Sequence, residues 1–221
     1  SNPNGYKFYQ ANPSPSTGGN NVDARHVACW VQGMYDPNTG NRLLMIPPEE
    51  IASVRLGNQN AGSQAERITY EFDVQDDLVL LMKYAVVLEN PGHGDAYDPY
   101  FGLEILQEDG TPIDSEASCG EAFFSPSKDP EEWNHYTPSL GVRFVWKDWT
   151  TIAITLREYH GQSLKIRLQT YDCNQGANFG YAYFTYSFYF SEIRQFDKAL
   201  ALLQMSKIFR ESDLYETELE Y

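Results

Sequence analysis

Apolar and polar residues alternate with a period of two along much of the chain. In the run 68–74, Ile, Tyr, Phe and Val occupy every second position, and Thr, Glu and Asp lie between them. The runs 101–105, 152–156 and 164–168 also place large apolar residues at every second position. Because successive side chains of a strand point to opposite faces, each run predicts a strand with one buried face.

Two other runs are richer in apolar residues. The run 78–88 is almost continuously apolar, which predicts a central strand covered on both faces. The run 179–190 is aromatic, with Gly180 and Ala182 where close packing is needed, and 108–112 has the composition of a hairpin turn. Strands at this spacing, with turns and no helices between them, predict an all-β, two-sheet antiparallel β-sandwich or jelly roll.

The two ends of the chain have a different pattern. Residues 1–50 are rich in Gly, Pro, Asn and Asp and predict loops, with one short strand around 25–31. After residue 190, Ile193, Phe196, Leu200 and Leu203 recur at helical spacing. We therefore expect a loop-rich segment at 1–24, the sandwich at 25–190, and an amphipathic helix with an acidic tail at 191–221. The apolar face of that helix predicts a protein partner.

Charge and composition exclude several classes of protein. The 221 residues carry a formal net charge of −15, which argues against nucleic-acid binding and disfavours an anionic membrane surface. With 42% hydrophobic residues the chain can bury a core. The longest apolar run, 78–88, contains Lys83 and is too short to span a membrane.

No catalytic motif is present. The sequence lacks the glycine-rich nucleotide loops, the His-Glu-x-x-His zinc motif and the Gly-x-Ser-x-Gly nucleophile turn. Its carboxylates are so numerous that no pair of them is informative. We predict a protein that is not an enzyme. The alternative, a hydrolase of glycans or peptides, predicts a groove with two carboxyl groups about 5–10 Å apart.

The loop 89–99 is a candidate metal site. It lies between two predicted strands and contributes the carboxylates of Glu89, Asp95 and Asp98. Hard oxygen ligands in a short loop suit calcium, which is the one cofactor that the sequence points to. The alternative is a solvated loop.

Aromatic residues in predicted loops are candidates for sugar binding. Tyr97, Tyr100, Trp133 and Tyr136 offer rings that can stack on a pyranose beside polar groups. The alternative is that these rings pack in the core or within the loops.

Four blocks of sequence follow one another in a fixed order. They are 52–58 (ASVRLGN), 65–72 (AERITYEF), 84–93 (YAVVLENPGH), and a last block that runs from 149–152 (WTTI) through 159–162 (YHGQ) to 172–173 (DC) and 179–183 (FGYAY). Together they resemble the jelly-roll module of large secreted surface proteins of Bacteroidetes, in gliding-motility-type or adhesin-like chains that often carry PKD domains. The resemblance covers about residues 25–188. It implies a two-sheet, galactose-binding-like jelly-roll sandwich, export through the outer membrane, and a binding or adhesive role.

The chain departs from this family after residue 183. The family's last strand commonly continues into an Asp-containing segment, whereas Phe184, Thr185 and Tyr186 follow here. A calcium role for that Asp therefore does not carry over.

Three cysteines, Cys29, Cys119 and Cys173, are far apart and form no Cys-x-x-Cys pair, which argues against a zinc or thioredoxin-type site. Cys119 and Cys173 both fall at predicted strand ends, and the export implied by the resemblance allows a disulfide to persist. We predict a bond between Cys119 and Cys173, with Cys29 as a buried thiol. The alternative pairing joins Cys29 to Cys173.

The first six residues have neither a basic nor an apolar stretch of the kind that begins a signal peptide. A cytoplasmic protein and a processed piece of a secreted one both fit this, and we expect a secreted or outer-membrane surface protein. The expected function is a non-catalytic extracellular binding or adhesion module whose partner is a cell-surface glycan or protein. The alternative is a structural spacer or a subunit of a cell-envelope complex.

Overall fold

A computed structural model describes residues 8–9, 26–74, 78–90, 92, 98–113, 121–126, 132–138, 141–173 and 176–190. Eleven strands lie in these ranges: β1 (Phe8–Tyr9), β2 (His26–Cys29), β3 (Ser53–Leu56), β4 (Ala65–Asp73), β5 (Leu78–Glu89), β6 (Tyr100–Gln107), β7 (Glu121–Phe124), β8 (Asn134–Tyr136), β9 (Phe144–Thr155), β10 (Ser163–Tyr171) and β11 (Gly180–Phe190). Short 3-10 turns occur at Pro37–Thr39 and Arg157–Tyr159. Among these residues, no helix has the length and apolar character needed to cross a membrane.

The strands form two sheets. The seven-stranded sheet has the order β1-β2-β3-β11-β5-β9-β8, and the four-stranded sheet has the order β4-β10-β6-β7. Strands β1 and β2 are parallel, and the other pairs are antiparallel. The prediction of an all-β, two-sheet antiparallel sandwich is confirmed. The helix predicted at 191–221 lies outside the described residues.

The main core fills the space between the sheets. One face of β5 supplies every second residue from Leu80 to Leu88, and the inward residues of β6 and β10 meet them from the other sheet. The other face of β5 is buried as well, at Ala85 and Val87. Strand β5 lies between β11 and β9, so the prediction of a central strand covered on both faces is confirmed.

A second core lies on the outer side of the seven-stranded sheet. The connection between β2 and β3, residues 30–52, folds back over this face, and we call it the covering segment. It buries Leu43, Met45 and Ile46 against Val87 and Trp146. The Trp149 indole N–H donates to the carbonyl oxygen of Leu44 at 2.7 Å, so the segment is held by a hydrogen bond as well as by apolar contact.

The outer side of the four-stranded sheet is more open. Along β4 the residues at odd positions are exposed from 65 to 73, while Ile68, Tyr70 and Phe72 pack against the main core. The odd positions of β10 are partly exposed and the even ones are buried. This is the alternation that the sequence predicts for strands with one buried face. We call the outward side of β4, β10 and β6 the open face.

Candidate functional site

The register of the strands brings polar and aromatic residues of the open face into rows. Tyr171 of β10 lies beside Tyr100 of β6, and Gln169 lies beside Gly102 in the next row. On the other side of β10, Gln169 lies beside Arg67 of β4. Because the alternation directs these residues away from the core, their side chains meet at the surface.

Two tyrosines stack at one end of the open face. The ring centroids of Tyr100 and Tyr171 are 4.4 Å apart, and the ring planes are inclined by 17°. Both residues are partly buried, so each ring keeps some contact with solvent. Burial raises the pKa of the Tyr100 hydroxyl, and the neighbouring Tyr171 raises it further. The Tyr100 hydroxyl is therefore neutral at physiological pH and can donate or accept a hydrogen bond.

Arg67 and Gln169 border the tyrosine pair. The Nη2 group of Arg67 donates to Oε1 of Gln169 at 3.2 Å and to the hydroxyl of Tyr171 at 3.3 Å. Gly102 leaves room for Gln169, because a Cβ at residue 102 would lie 3.3 Å from Cγ of Gln169. The arrangement holds a guanidinium and an amide beside an aromatic surface.

Farther along the face, charged side chains form pairs. Nη1 of Arg167 is 3.3 Å from Oε2 of Glu104, and Nζ of Lys165 is 3.8 Å from Oε2 of Glu71. Glu71 also accepts a hydrogen bond from the hydroxyl of Ser163 at 3.2 Å. The two carboxylates of this region are therefore neutralised by neighbouring cations.

A polar depression of about 610 Å³ lies beside this charged end. Its walls are residues 107–109, where β6 ends, and residues 161–163, which lead into β10. It extends the polar surface beyond the ion pairs, away from the stacked tyrosines.

Of the four aromatic residues predicted to bind a ligand, Tyr100 lies on the open face. Trp133 is 5% exposed and packs in the main core, so its ring offers no platform to a sugar. Tyr136 is half-buried on the opposite side of the sandwich, where it packs with the second core under Gly40. Tyr97 lies outside the described residues.

The predicted calcium ligands are only partly described. Glu89 is buried, and its Oε2 accepts hydrogen bonds from the backbone N–H of Phe179 at 3.0 Å and from Nδ2 of Asn178 at 3.3 Å. Burial raises the pKa of this carboxyl, although these hydrogen bonds oppose the rise. Asp98 is also buried, and Asp95 lies outside the described residues.

Glu89 thus connects the end of β5 to the start of β11, which is a structural role. Across the described part of the chain, no three His, Cys, Asp or Glu side chains come together in a group that could hold a metal ion. The calcium site at Glu89, Asp95 and Asp98 stays a prediction.

Two of the three cysteines lie within the described residues. Cys29 and Cys173 are both buried thiols here, and Cys119 lies outside the described residues. Burial raises the pKa of the Cys29 thiol to about 11, which fits the buried thiol predicted for it. The Cys119–Cys173 bond is not shown and stays a prediction.

The sequence does not single out Tyr171, Arg67 or Gln169. Each is a polar or amphipathic residue in an alternating strand, and alternation identifies the outward face without showing which strands lie side by side. The pairing of β4 and β6 with β10 joins these residues to Tyr100 across long sequence separations. The sequence feature that could have identified two of them is the alternation in 163–171, which places both Tyr171 and Gln169 on the outward side of one strand.

No family model and no curated protein matches this chain. Solved structures are similar at low identity. The module TmCBM61 in complex with β-1,4-galactotriose is 11% identical, with 84% of this chain and 100% of that chain covered and a TM-score of 0.35. A CBM27 module of Caldicellulosiruptor saccharolyticus, in complex with mannohexaose, is 12% identical, with 73% and 80% covered and a TM-score of 0.35.

The enzymatically active domain of tailspike protein 4 from bacteriophage CBA120 is 10% identical, with a TM-score of 0.33. The match covers 80% of this chain and 21% of that chain. Similarity at this level says nothing about what this protein binds. The β-sandwich fold is established by its own two sheets.

Proposed function

We propose that this protein is a non-catalytic glycan-binding module and that the open face is its binding surface. The observation that carries the proposal is the stacked Tyr100–Tyr171 pair, bordered by Arg67 and Gln169 on a solvent-accessible sheet. A pyranose has an apolar face of C–H groups and a rim of hydroxyls. Aromatic rings bind the C–H face, and amide, guanidinium and phenol groups bind the hydroxyls.

The charges of the open face support binding rather than hydrolysis. A glycosidase needs one protonated and one ionised carboxyl group on the two sides of the bond that it cleaves. Glu104 and Glu71 are instead each paired with a cation, Arg167 and Lys165. Both carboxylates are therefore already held in ion pairs within the protein, which supports a binding role for this face.

We further propose that the module belongs to a secreted or outer-membrane surface protein with a role in adhesion. The four sequence blocks that resemble the Bacteroidetes jelly-roll module and the acidic surface support this setting. A calcium ion at the 89–99 loop and a protein partner for the segment 191–221 are additional parts of this proposal.

A glycan array followed by titration calorimetry with the best neutral oligosaccharide tests the binding function. We expect Tyr171→Ala to weaken binding about tenfold or more, because truncating an aromatic anchor of a binding surface costs about 1.4 kcal/mol or more. The matched control is Tyr35→Ala. Tyr35 is 45% exposed in the covering segment, on the other side of the sandwich, and its loss should leave the affinity unchanged.

Two results would contradict the proposal. Silence of the wild-type protein across a broad panel of plant and bacterial glycans would favour the structural spacer. Equal affinities of wild type and Tyr171→Ala would place the binding surface elsewhere on the molecule.

A further inference from the structure

The open face carries three cations in two different settings. Arg167 and Lys165 lie within 4 Å of the carboxylates of Glu104 and Glu71. Arg67 instead donates to an amide oxygen and a phenol oxygen, which are both neutral acceptors. Within the part of the chain that the structure describes, no carboxylate forms an ion pair with Arg67.

The surroundings of Arg67 keep its charge uncompensated. Its cross-strand partner is Gln169, and the neighbouring outward positions on β4 are Ala65 and Thr69. On β10 the neighbouring outward positions are Arg167 and Tyr171. None of these five residues carries a negative charge, and Arg67 lies at the edge of the tyrosine pair.

The guanidinium also keeps donors to offer. Its Nη2 group makes both hydrogen bonds to the protein, whereas Nη1 and Nε donate to no residue that the structure describes. The two hydrogen bonds hold the planar group beside Tyr171. A planar, fixed guanidinium is the group best suited to bind a carboxylate or another oxyanion.

We infer that the open face takes an anionic glycan, in which Arg67 binds an acidic substituent of the sugar whose ring contacts Tyr100 and Tyr171. This rests on the proposed glycan-binding function and specifies the class of sugar. The shared chemistry is an oxyanion on a pyranose, which is either the carboxylate of a uronic acid or a sulfate ester. We commit to the uronic acid as the expected ligand.

The acidic character of the whole protein does not oppose this contact at physiological salt. The net charge of −15 repels polyanions at long range. At an ionic strength of 0.15 M the Debye length is about 8 Å, so distant carboxylates are largely screened. A charge-assisted hydrogen bond at contact distance persists under these conditions.

Titration calorimetry with matched probes tests the inference: tetragalacturonate, the neutral galactose tetrasaccharide, and a sulfated galactose tetrasaccharide. We expect wild type to prefer tetragalacturonate to the neutral probe by about tenfold or more. Arg67→Gln should abolish this preference, because it weakens the binding of tetragalacturonate about tenfold more than it weakens the binding of the neutral probe. Arg67→Lys should retain part of the preference, because the charge remains without the planar group.

The control variant is Arg143→Gln. Arg143 is exposed just before β9, outside the open face, and its replacement removes the same charge from the protein. An unchanged preference in this variant shows that Arg67 acts by contact and not through net charge.

The outcomes separate the inference from the proposed function. If the neutral probe binds as tightly as tetragalacturonate and depends on Tyr171, the function stands and the inference is overturned. The same holds if Arg67→Gln keeps the preference. A stronger, Arg67-dependent preference for the sulfated probe overturns the uronic acid assignment. If no probe binds, the inference is overturned, and the function fails with it only if the broad glycan array is silent as well.

Discussion

The outward faces of the two sheets use similar residues for opposite purposes. On the seven-stranded sheet, the hydroxyls of Tyr181 and Tyr183 donate to Asp36 at 2.8–3.0 Å in a fully buried cluster. On the four-stranded sheet, Tyr100 and Tyr171 stack on each other and remain partly accessible. The same residue type stabilises the fold on one side and forms a contact surface on the other.

The covering segment accounts for the difference. Asp36 lies in this segment, caps the turn Pro37–Thr39 through the backbone N–H of Asn38, and reaches down to the two tyrosines. The segment also encloses the guanidinium of Arg55, whose Cζ lies 5.5 Å from the ring centroid of Tyr181. Water is excluded there, so each polar group has to find its partner within the protein.

Burial disfavours the ionised form of the Asp36 carboxyl group. Desolvation raises the pKa of its carboxyl, and the hydrogen bonds from Tyr183 and Tyr181 offset only part of that rise. The ion pairs of the open face keep contact with solvent, so their desolvation cost is smaller and they contribute little to stability. Substitutions should therefore affect mainly stability on the covered face and mainly binding on the open face.

The largest expected effect is that of Asp36→Ala. The substitution leaves two buried tyrosine hydroxyls without their acceptor and opens a cavity, so we expect the free energy of unfolding to fall by about 3–5 kcal/mol. Urea unfolding measures the loss. Hydrogen exchange should show that the amide of Met45, which donates to the carbonyl oxygen of Met34, becomes less protected.

Tyr171→Ala is the matched change on the open face. It removes one stacked pair at a partly exposed position, and we expect a loss near 1 kcal/mol. A cost of Asp36→Ala below that of Tyr171→Ala would show that the buried cluster does not hold the covering segment.

The second prediction compares a glycine from each sheet. Gly57 follows β3 with φ +92°, and a Cβ there would lie 2.6 Å from the carbonyl oxygen of Gly180. We expect Gly57→Ala to destabilise the protein by about 2–4 kcal/mol, because backbone atoms must shift and the residue is strained.

Gly102→Ala on the open face should change stability by less than about 1 kcal/mol, since the flexible side chain of Gln169 can move away. That movement should weaken glycan binding. Thermal unfolding and calorimetry on both variants check the pair. Equal stability losses for the two alanine variants would show that the space around these two glycines does not distinguish the two sheets.

The periodicity of the sequence predicts the strands of the sandwich but not what covers them. Ile68, Tyr70 and Phe72 do face the main core, and 78–88 is the central strand. These elements follow from local patterns, because a strand with one buried face needs period two and a strand buried on both faces needs a continuous apolar run.

The covering segment shows where local patterns fail. Its residues 36–40, Asp-Pro-Asn-Thr-Gly, predict a turn, and the structure has one. That the same Asp36 is fully buried against residues 181 and 183 depends on a contact across more than 140 positions, and periodicity carries no information about it. The open face is similar, because Tyr100 was identified as a candidate while its partner Tyr171 depends on strand pairing.

The smallest expected effect is a pH dependence with opposite signs for two aspartates. The pKa of Asp36 is raised in the folded protein, chiefly by burial, so the folded state binds a proton more readily than the unfolded state does. The contribution of Asp36 to stability is then greatest below about pH 4, near the usual pKa of Asp, and falls as pH rises through the folded pKa. Asp36→Asn removes this trend.

Asp109, exposed in the turn after β6, supplies the contrast. Hydrogen bonds from the hydroxyl and the backbone N–H of Thr111 lower the pKa of this carboxyl. Its contribution is present above about pH 4 and is lost as pH falls through the folded pKa. The measurement is the difference in free energy of unfolding between wild type and each Asn variant from pH 3 to pH 8.

That difference should fall with rising pH for Asp36→Asn and rise with rising pH for Asp109→Asn. Slopes of the same sign would mean that Asp36 is ionised in the folded state as readily as an exposed carboxyl. The covered face would then hold its aspartate by charge rather than by hydrogen bonds to two neutral tyrosines.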